Sequence, residues 1–180
     1  EAFAEAGQGG CQRVPAGAAD DVAQDFVNHL FRQLEAALRE MGVGADIWSV
    51  TSFNELRRDG LAVERWNRLH PGQKPKQAFI QECLTGRKGP VVASTDYMKL
   101  FADQIRQWVP SREYQVLGTD GFGRSDSRAK LRDFFEVDRR WVTVAALQAL
   151  ADRGAIERTV VANAITEFGI DPEKRNPLDC

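Results

Sequence analysis

Three short apolar runs, "ADIWSV" (Ala45 to Val50), "PVVAST" (Pro90 to Thr95) and "YQVLGT" (Tyr114 to Thr119), alternate with stretches of helical periodicity. This alternation constrains the chain more than any other feature. Strands separated by helices pair in parallel and are covered on both faces, so the expected class is α/β, a three-layer α/β/α arrangement with a mostly parallel sheet. Phe26, Val27, Leu30, Phe31, Leu34, Ala37, Leu38 and Met41 recur at three- and four-residue spacing, which predicts a first helix. Asp21 or Asp25 can cap its start and Gly42 its end. Ser52 and Glu55 are spaced as a capping box ahead of a helix with Leu61, Arg65, Trp66 and Leu69 on one face, stopped by His70-Pro71-Gly72. A short amphipathic helix follows from Gln77 to Leu84, ending near Gly86. Tyr97, Met98, Phe101, Ile105, Trp108 and Val109 mark one face of the next, and Leu131, Phe134 and Phe135 belong to the one after "DGFGRSDS". Two further helices end at Gly154 and Gly169, and a polar tail closes the chain.

The balance of 24 Lys+Arg against 26 Asp+Glu gives a net charge of −2, which argues against a dedicated nucleic-acid binder. Arg57, Arg58, Arg65, Arg68, Lys74, Lys76, Arg87 and Lys88 form the richest basic stretch, but Asp59, Glu64 and Glu82 are interspersed, as on a solvated surface. No apolar run reaches the roughly 20 residues needed to cross a bilayer, and no signal peptide opens the chain. Cys11, Cys83 and Cys180 match neither a disulfide framework nor a metal-binding spacing. A cytoplasmic location is expected. Residues 1–23 are rich in Ala and Gly without period, which predicts an irregular, loosely packed arm ahead of a domain at 24–180.

The segment Asp120-Gly121-Phe122-Gly123-Arg124-Ser125-Asp126 lies after a strand and before a helix, where open α/β sheets bind ligands. Its glycines allow close backbone approach, and a helix start offers free N–H groups to an anion. The plainer reading is a tight turn with Ser125 or Asp126 as helix cap. It is neither a G-x-G-x-x-G nor a Walker loop. Asp96 and Tyr97 end the preceding strand in the same way. Asp96 is suited to orient a substrate, to pair with Arg124, or simply to cap its helix. His70 reads as a general base or a helix-terminal histidine, with the latter commoner. Cys83 reads as an inert buried thiol, His29 as solvated, and the four tryptophans as packing residues.

Longer runs carry a resemblance. "ADIWSVTSFNELRRDGLAVERWNRLHP", "VVASTDYMKLFADQIRQWVP", "YQVLGTDGFGRSDSRAKLRDFFEVD", "VTVAALQALADRG" and "GIDPEKRNPL" occur in that order. From about Gly42 to Leu178 they resemble the C-terminal, transketolase-like domain of the homodimeric decarboxylating components of bacterial pyruvate dehydrogenase complexes. The resemblance implies an enzyme that uses thiamin diphosphate and Mg²⁺ to decarboxylate pyruvate. It also implies reductive transfer of the acetyl group to lipoyl groups on an acyltransferase core. Cofactor and catalytic residues of that family come from its first two domains across the dimer, and the third domain is mainly structural. The diphosphate motif, Gly-Asp-Gly followed after roughly thirty residues by Asn, has only Asp120-Gly121 as a partial match here. Neither catalysis nor cofactor or metal binding is therefore expected of this chain alone. Asp96, Tyr97 and Asp120 to Asp126 are the candidate interface residues, with the remaining domains and the dimer partner as the contacts. The family's first apolar strand has no match before Asp21, where "QRV" is too short and polar, so one sheet position is expected to be empty. A free-standing α/β module binding an anion or metabolite at the Asp120 loop is the alternative.

Overall fold

The computed structural model describes residues 11–13, 32–111 and 113–179. In chain order these form β1 (Cys11–Arg13), α1 (32–40), β2 (Trp48–Val50), α2 (Phe53–Leu69), α3 (Phe79–Leu84) and β3 (Val91–Ser94). Then come α4 (Lys99–Asp103), a 3-10 turn (Arg106–Trp108), β4 (Tyr114–Leu117), α5 (Arg128–Phe134), α6 (Arg139–Asp152) and α7 (Arg158–Glu167). A second 3-10 turn, Pro177–Asp179, follows. Asp21, Asp25, His29, the start of the first helix and Cys180 lie outside the described residues.

The α/β class stands, with β3 and β4 paired in parallel around α4. The strands form two separate pairs, however, and the second is antiparallel: Cys11, Gln12 and Arg13 face Val50, Ser49 and Trp48. A short strand thus lies within the arm expected to be irregular, but it stands outside the parallel pair and does not fill the sheet position expected to be empty. Backbone N–H and C=O groups make the ladder, so a three-residue partner needs no apolar signature.

Local chemistry explains most boundaries. Ser52 caps α2, its side chain accepting from Glu55 N–H at 3.2 Å. The Glu55 carboxylate accepts from Arg58 at 2.7 Å. Asp138 caps α6 by accepting from the N–H groups of Arg140 and Trp141. Gly42, Gly86, Gly154 and Gly169, read as helix stops, have φ of 74°, 80°, 70° and 62°.

Two cores result. In the first, Val91, Ala93, Tyr114 and Val116 alternate onto the sheet face that meets Leu56, Ile80, Leu84, Ile105 and Trp108. Trp108 donates from Nε1 to Glu64 at 2.9 Å. The Tyr114 hydroxyl donates to Ala102 O at 2.7 Å, and burial pushes its pKa upward against the opposing pull of Arg106. The second core joins Leu38 of α1, Leu147 and Ala151 of α6, and Val161 and Ala164 of α7. Two periodicity assignments change. Leu61 and Leu69 are exposed on α2, whose buried positions are Leu56 and Gly60. The single helical face expected from Tyr97 to Val109 is broken between α4 and the 3-10 turn, and only Ile105, Trp108 and Val109 of it are buried.

Candidate interface site

Parallel pairing of β3 with β4 brings their C-terminal ends side by side, and the two following turns meet there. The turns hold each other in a crossed pattern. Asp120, after β4, accepts from Lys99 N–H at the start of α4 at 3.1 Å. Asp96, after β3, is bound by Arg132 of α5 through two bonds, Nε to Oδ1 at 3.1 Å and Nη2 to Oδ2 at 2.6 Å. Thr119 completes the join, donating from its amide to Tyr97 O and from its hydroxyl to Asp96 O, each at 2.9 Å. The turns approach closely at Gly118, where a Cβ would lie 2.6 Å from Lys99 N and 2.7 Å from Tyr97 O.

The structure therefore brings the expected residues together but reassigns their roles. Asp96 pairs with Arg132 and not with Arg124, whose guanidinium lies 4.0 Å above the Phe134 ring. Asp96 also caps no helix: the α4 amide that needs an acceptor points at the other turn, and Asp120 reaches it. The cap of α5 is Ser127, accepting from Lys130 N–H, in place of Ser125 or Asp126. Asp126 instead accepts from Ser127 N–H at 2.7 Å and lies 3.8 Å from the Lys130 ammonium. Gly121 has φ of 117°, and a Cβ there would stand 2.5 Å from Pro177 O, so both backbone and packing require glycine. Gly123 and Ser125 are exposed.

Apolar side chains gather at this end without cover from the described residues. Phe122 is 76% exposed, Tyr97 69% and Leu100 68%, and the Tyr97 and Phe101 rings are 5.5 Å apart. Behind the loop is a cavity of about 30 Å³ lined by Lys99, Gly118, Asp120, Phe135, Asn176 and Pro177 among others, space for about one water. Gly118 and Arg132 are not among the candidates the sequence marks, and the 171–179 segment reads there only as a polar tail and as part of the resemblance. A glycine directly after a strand was a usable signal for close approach.

Elsewhere, His70 caps α2, donates from Nδ1 to Trp66 O at 2.8 Å and stacks on that indole at 4.4 Å, as a helix-terminal histidine. Burial, with Glu82 beside it, pushes the half-buried Cys83 thiol up and disfavours the nucleophilic thiolate. Among the described residues, no group of three or more His, Cys, Asp or Glu is arranged to hold a metal ion. Among them too, no helix is long and apolar enough to cross a membrane.

Residues 27–138, which include both turns, match the model of the transketolase-like C-terminal domain. The chain belongs to that family. It is 74% identical over 155 residues to the pyruvate dehydrogenase E1 component of Pseudomonas aeruginosa, a match covering 84% of this chain and 18% of that protein. The Cupriavidus necator protein of the same name is 55% identical over 153 residues, covering 83% and 17%. That of Escherichia coli K12 is 54% identical over 152 residues, covering 84% and 17%. The chain thus spans less than a fifth of these curated relatives. Asp120, the one partial match to the diphosphate motif, is engaged by the Lys99 amide, and among the described residues no further carboxylate or histidine joins it in a metal-binding cluster.

Proposed function

We propose that this chain forms the C-terminal domain of a cytoplasmic pyruvate dehydrogenase E1 component. On this reading it supports the dimer and the active site built by the rest of that enzyme and catalyses nothing by itself. Thiamin diphosphate and Mg²⁺ bind to the other domains, which decarboxylate pyruvate and pass the acetyl group to lipoyl groups of the acyltransferase core. The observation that carries the reading is the 74% identity over 155 residues to a protein of that name. The contact surface is the joined pair of turns, Asp96, Tyr97 and Asp120 to Asp126, in which Arg124 stays available to an anionic group. Its physical support is the exposed set Tyr97, Met98, Leu100, Phe101 and Phe122. Proteins that stand alone seldom leave so many large apolar side chains uncovered at one place.

The test is made in the full-length enzyme carrying this chain. Tyr97→Ser together with Phe122→Ser is expected to raise the dimer dissociation constant at least about tenfold, the loss of one or two apolar contacts at an interface, and to lower pyruvate-dependent activity with it. An unchanged dimer with unchanged activity overturns the reading. In a parallel titration of the isolated chain with Mg²⁺ and thiamin diphosphate, no binding heat is expected, and stoichiometric binding overturns the assignment of the cofactor to other domains.

A further inference from the structure

Helix α5 ends in a pattern that ordinarily selects glycine. Val137 N–H donates back to Arg132 O at 2.9 Å and Glu136 N–H to Asp133 O at 3.2 Å, with Glu136 at φ 62°. This is a Schellman end, whose left-handed position disfavours any residue with a Cβ. Glu136 is the only non-glycine residue with positive φ among the described residues. A residue held against its backbone preference points to something its side chain does.

What glycine cannot supply is a carboxylate. Glu136 Oε1 accepts from Lys174 Nζ at 3.3 Å, and the same ammonium donates to Asp133 O at 2.8 Å and Phe134 O at 2.9 Å. Its three protons thus have three acceptors. It also lies 4.7 Å from the centroid of the Trp141 ring and 5.7 Å from that of Phe134, within cation–π range. Lys174 belongs to the polar 171–179 segment. Three residues further on, the buried Pro177 sets its carbonyl against Gly121. The Phe134 ring near Lys174 is also the ring under Arg124. The segment and the Asp120 loop therefore share the Phe134 ring and meet directly at Pro177 and Gly121.

We propose that Lys174 and Glu136 form a latch that fastens the 171–179 segment to the end of α5 and so fixes the shape of the Asp120–Asp126 loop. Lys174 is a positioning residue, acting on the loop through Phe134 and Pro177. The latch does not depend on what the loop contacts, so its failure and the failure of the proposed function are separate outcomes.

The test is limited trypsin digestion of the full chain, comparing cleavage after Arg124 with cleavage after Arg57 and Arg58 of α2 by mass spectrometry. Lys174→Met removes the cation. Glu136→Gly removes the carboxylate while relieving the backbone, so it remains informative if the first variant folds poorly. Cleavage of a native loop follows its local opening. Glu136→Gly is expected to raise the ratio of cleavage after Arg124 to cleavage in α2 by about fivefold, the size expected for losing one modest local interaction. An unchanged ratio overturns the latch, whether both sites are unaffected or both accelerate together.

Discussion

The stretch from Tyr97 to Val109 carries apolar residues at helical spacing throughout, yet its two ends have opposite surroundings. Ile105, Trp108 and Val109 are 3%, 4% and 8% exposed, whereas Tyr97 and Met98 are 69% and 49% exposed. The first group is covered by α2, α3 and one face of the parallel pair. The second stands at the strand ends, where the described chain supplies turns and no layer to cover them. Periodicity thus identifies an apolar side, while coverage depends on what packs against it. In the covered half the side chains maintain the fold. In the uncovered half, on the function proposed above, they hold this domain to the rest of an enzyme.

That contrast can be sharpened by substitution. Trp108→Ala should cost the most, about 3–5 kcal/mol, because it opens a cavity in the first core and leaves Glu64 without its indole donor. Urea denaturation of the chain checks this, and a loss below about 1 kcal/mol would show that the covered half is not the stabilising one. Tyr114→Phe is expected to cost about 1–2 kcal/mol at neutral pH, since Ala102 O loses its donor. It should also flatten the alkaline limb of the stability profile. Burial raises the folded pKa of Tyr114 above its ordinary 10.0, so the folded state retains a proton that the unfolded chain releases. Stability from this phenol is therefore complete below about pH 10 and lost as pH rises above it. Unfolding midpoints across the alkaline range, compared between the two chains, report that slope.

Asp120→Ala should cost about 1 kcal/mol for the loss of an N-terminal helix acceptor. Asp96→Ala should cost about 0.5–1 kcal/mol, discounted because the carboxylate is half exposed. If the turns are joined as described, the double variant will cost measurably less than the sum of the single ones. Strict additivity in the same denaturation experiment would separate the turns.

Much of this architecture was legible because its rules are local. Ser52 capping α2, glycine closing four helices, and the positions of β3 and β4 depend on neighbours within a turn or two of chain. The Asp120 turn is placed between a strand and a helix for the same reason. Its wiring was not legible. Capping rules look from a residue to amides two or three places ahead, whereas Asp120 caps a helix that begins at Lys99 and Asp96 pairs with a residue 36 places away. The contacts of Lys174 are not legible because its acceptors lie 38 to 41 places away, and β1 is not legible because pairing through backbone alone leaves no side-chain pattern.

The crossed ties also set what can be inherited separately. One βα unit contributes the Lys99 amide and the Asp96 carboxylate, and the other contributes the Asp120 carboxylate and the Arg132 guanidinium. The tie to Lys99 uses only a main-chain amide, so any residue except proline at that position can receive Asp120. The tie between Asp96 and Arg132 uses two side chains and a two-pronged geometry that lysine cannot copy. A chimera that takes the β3–α4 unit from a distant relative would thus retain the first tie with almost any donor, and the second only from a donor with a carboxylate at the position of Asp96. Recombination at this edge of the sheet is constrained on one side and permissive on the other.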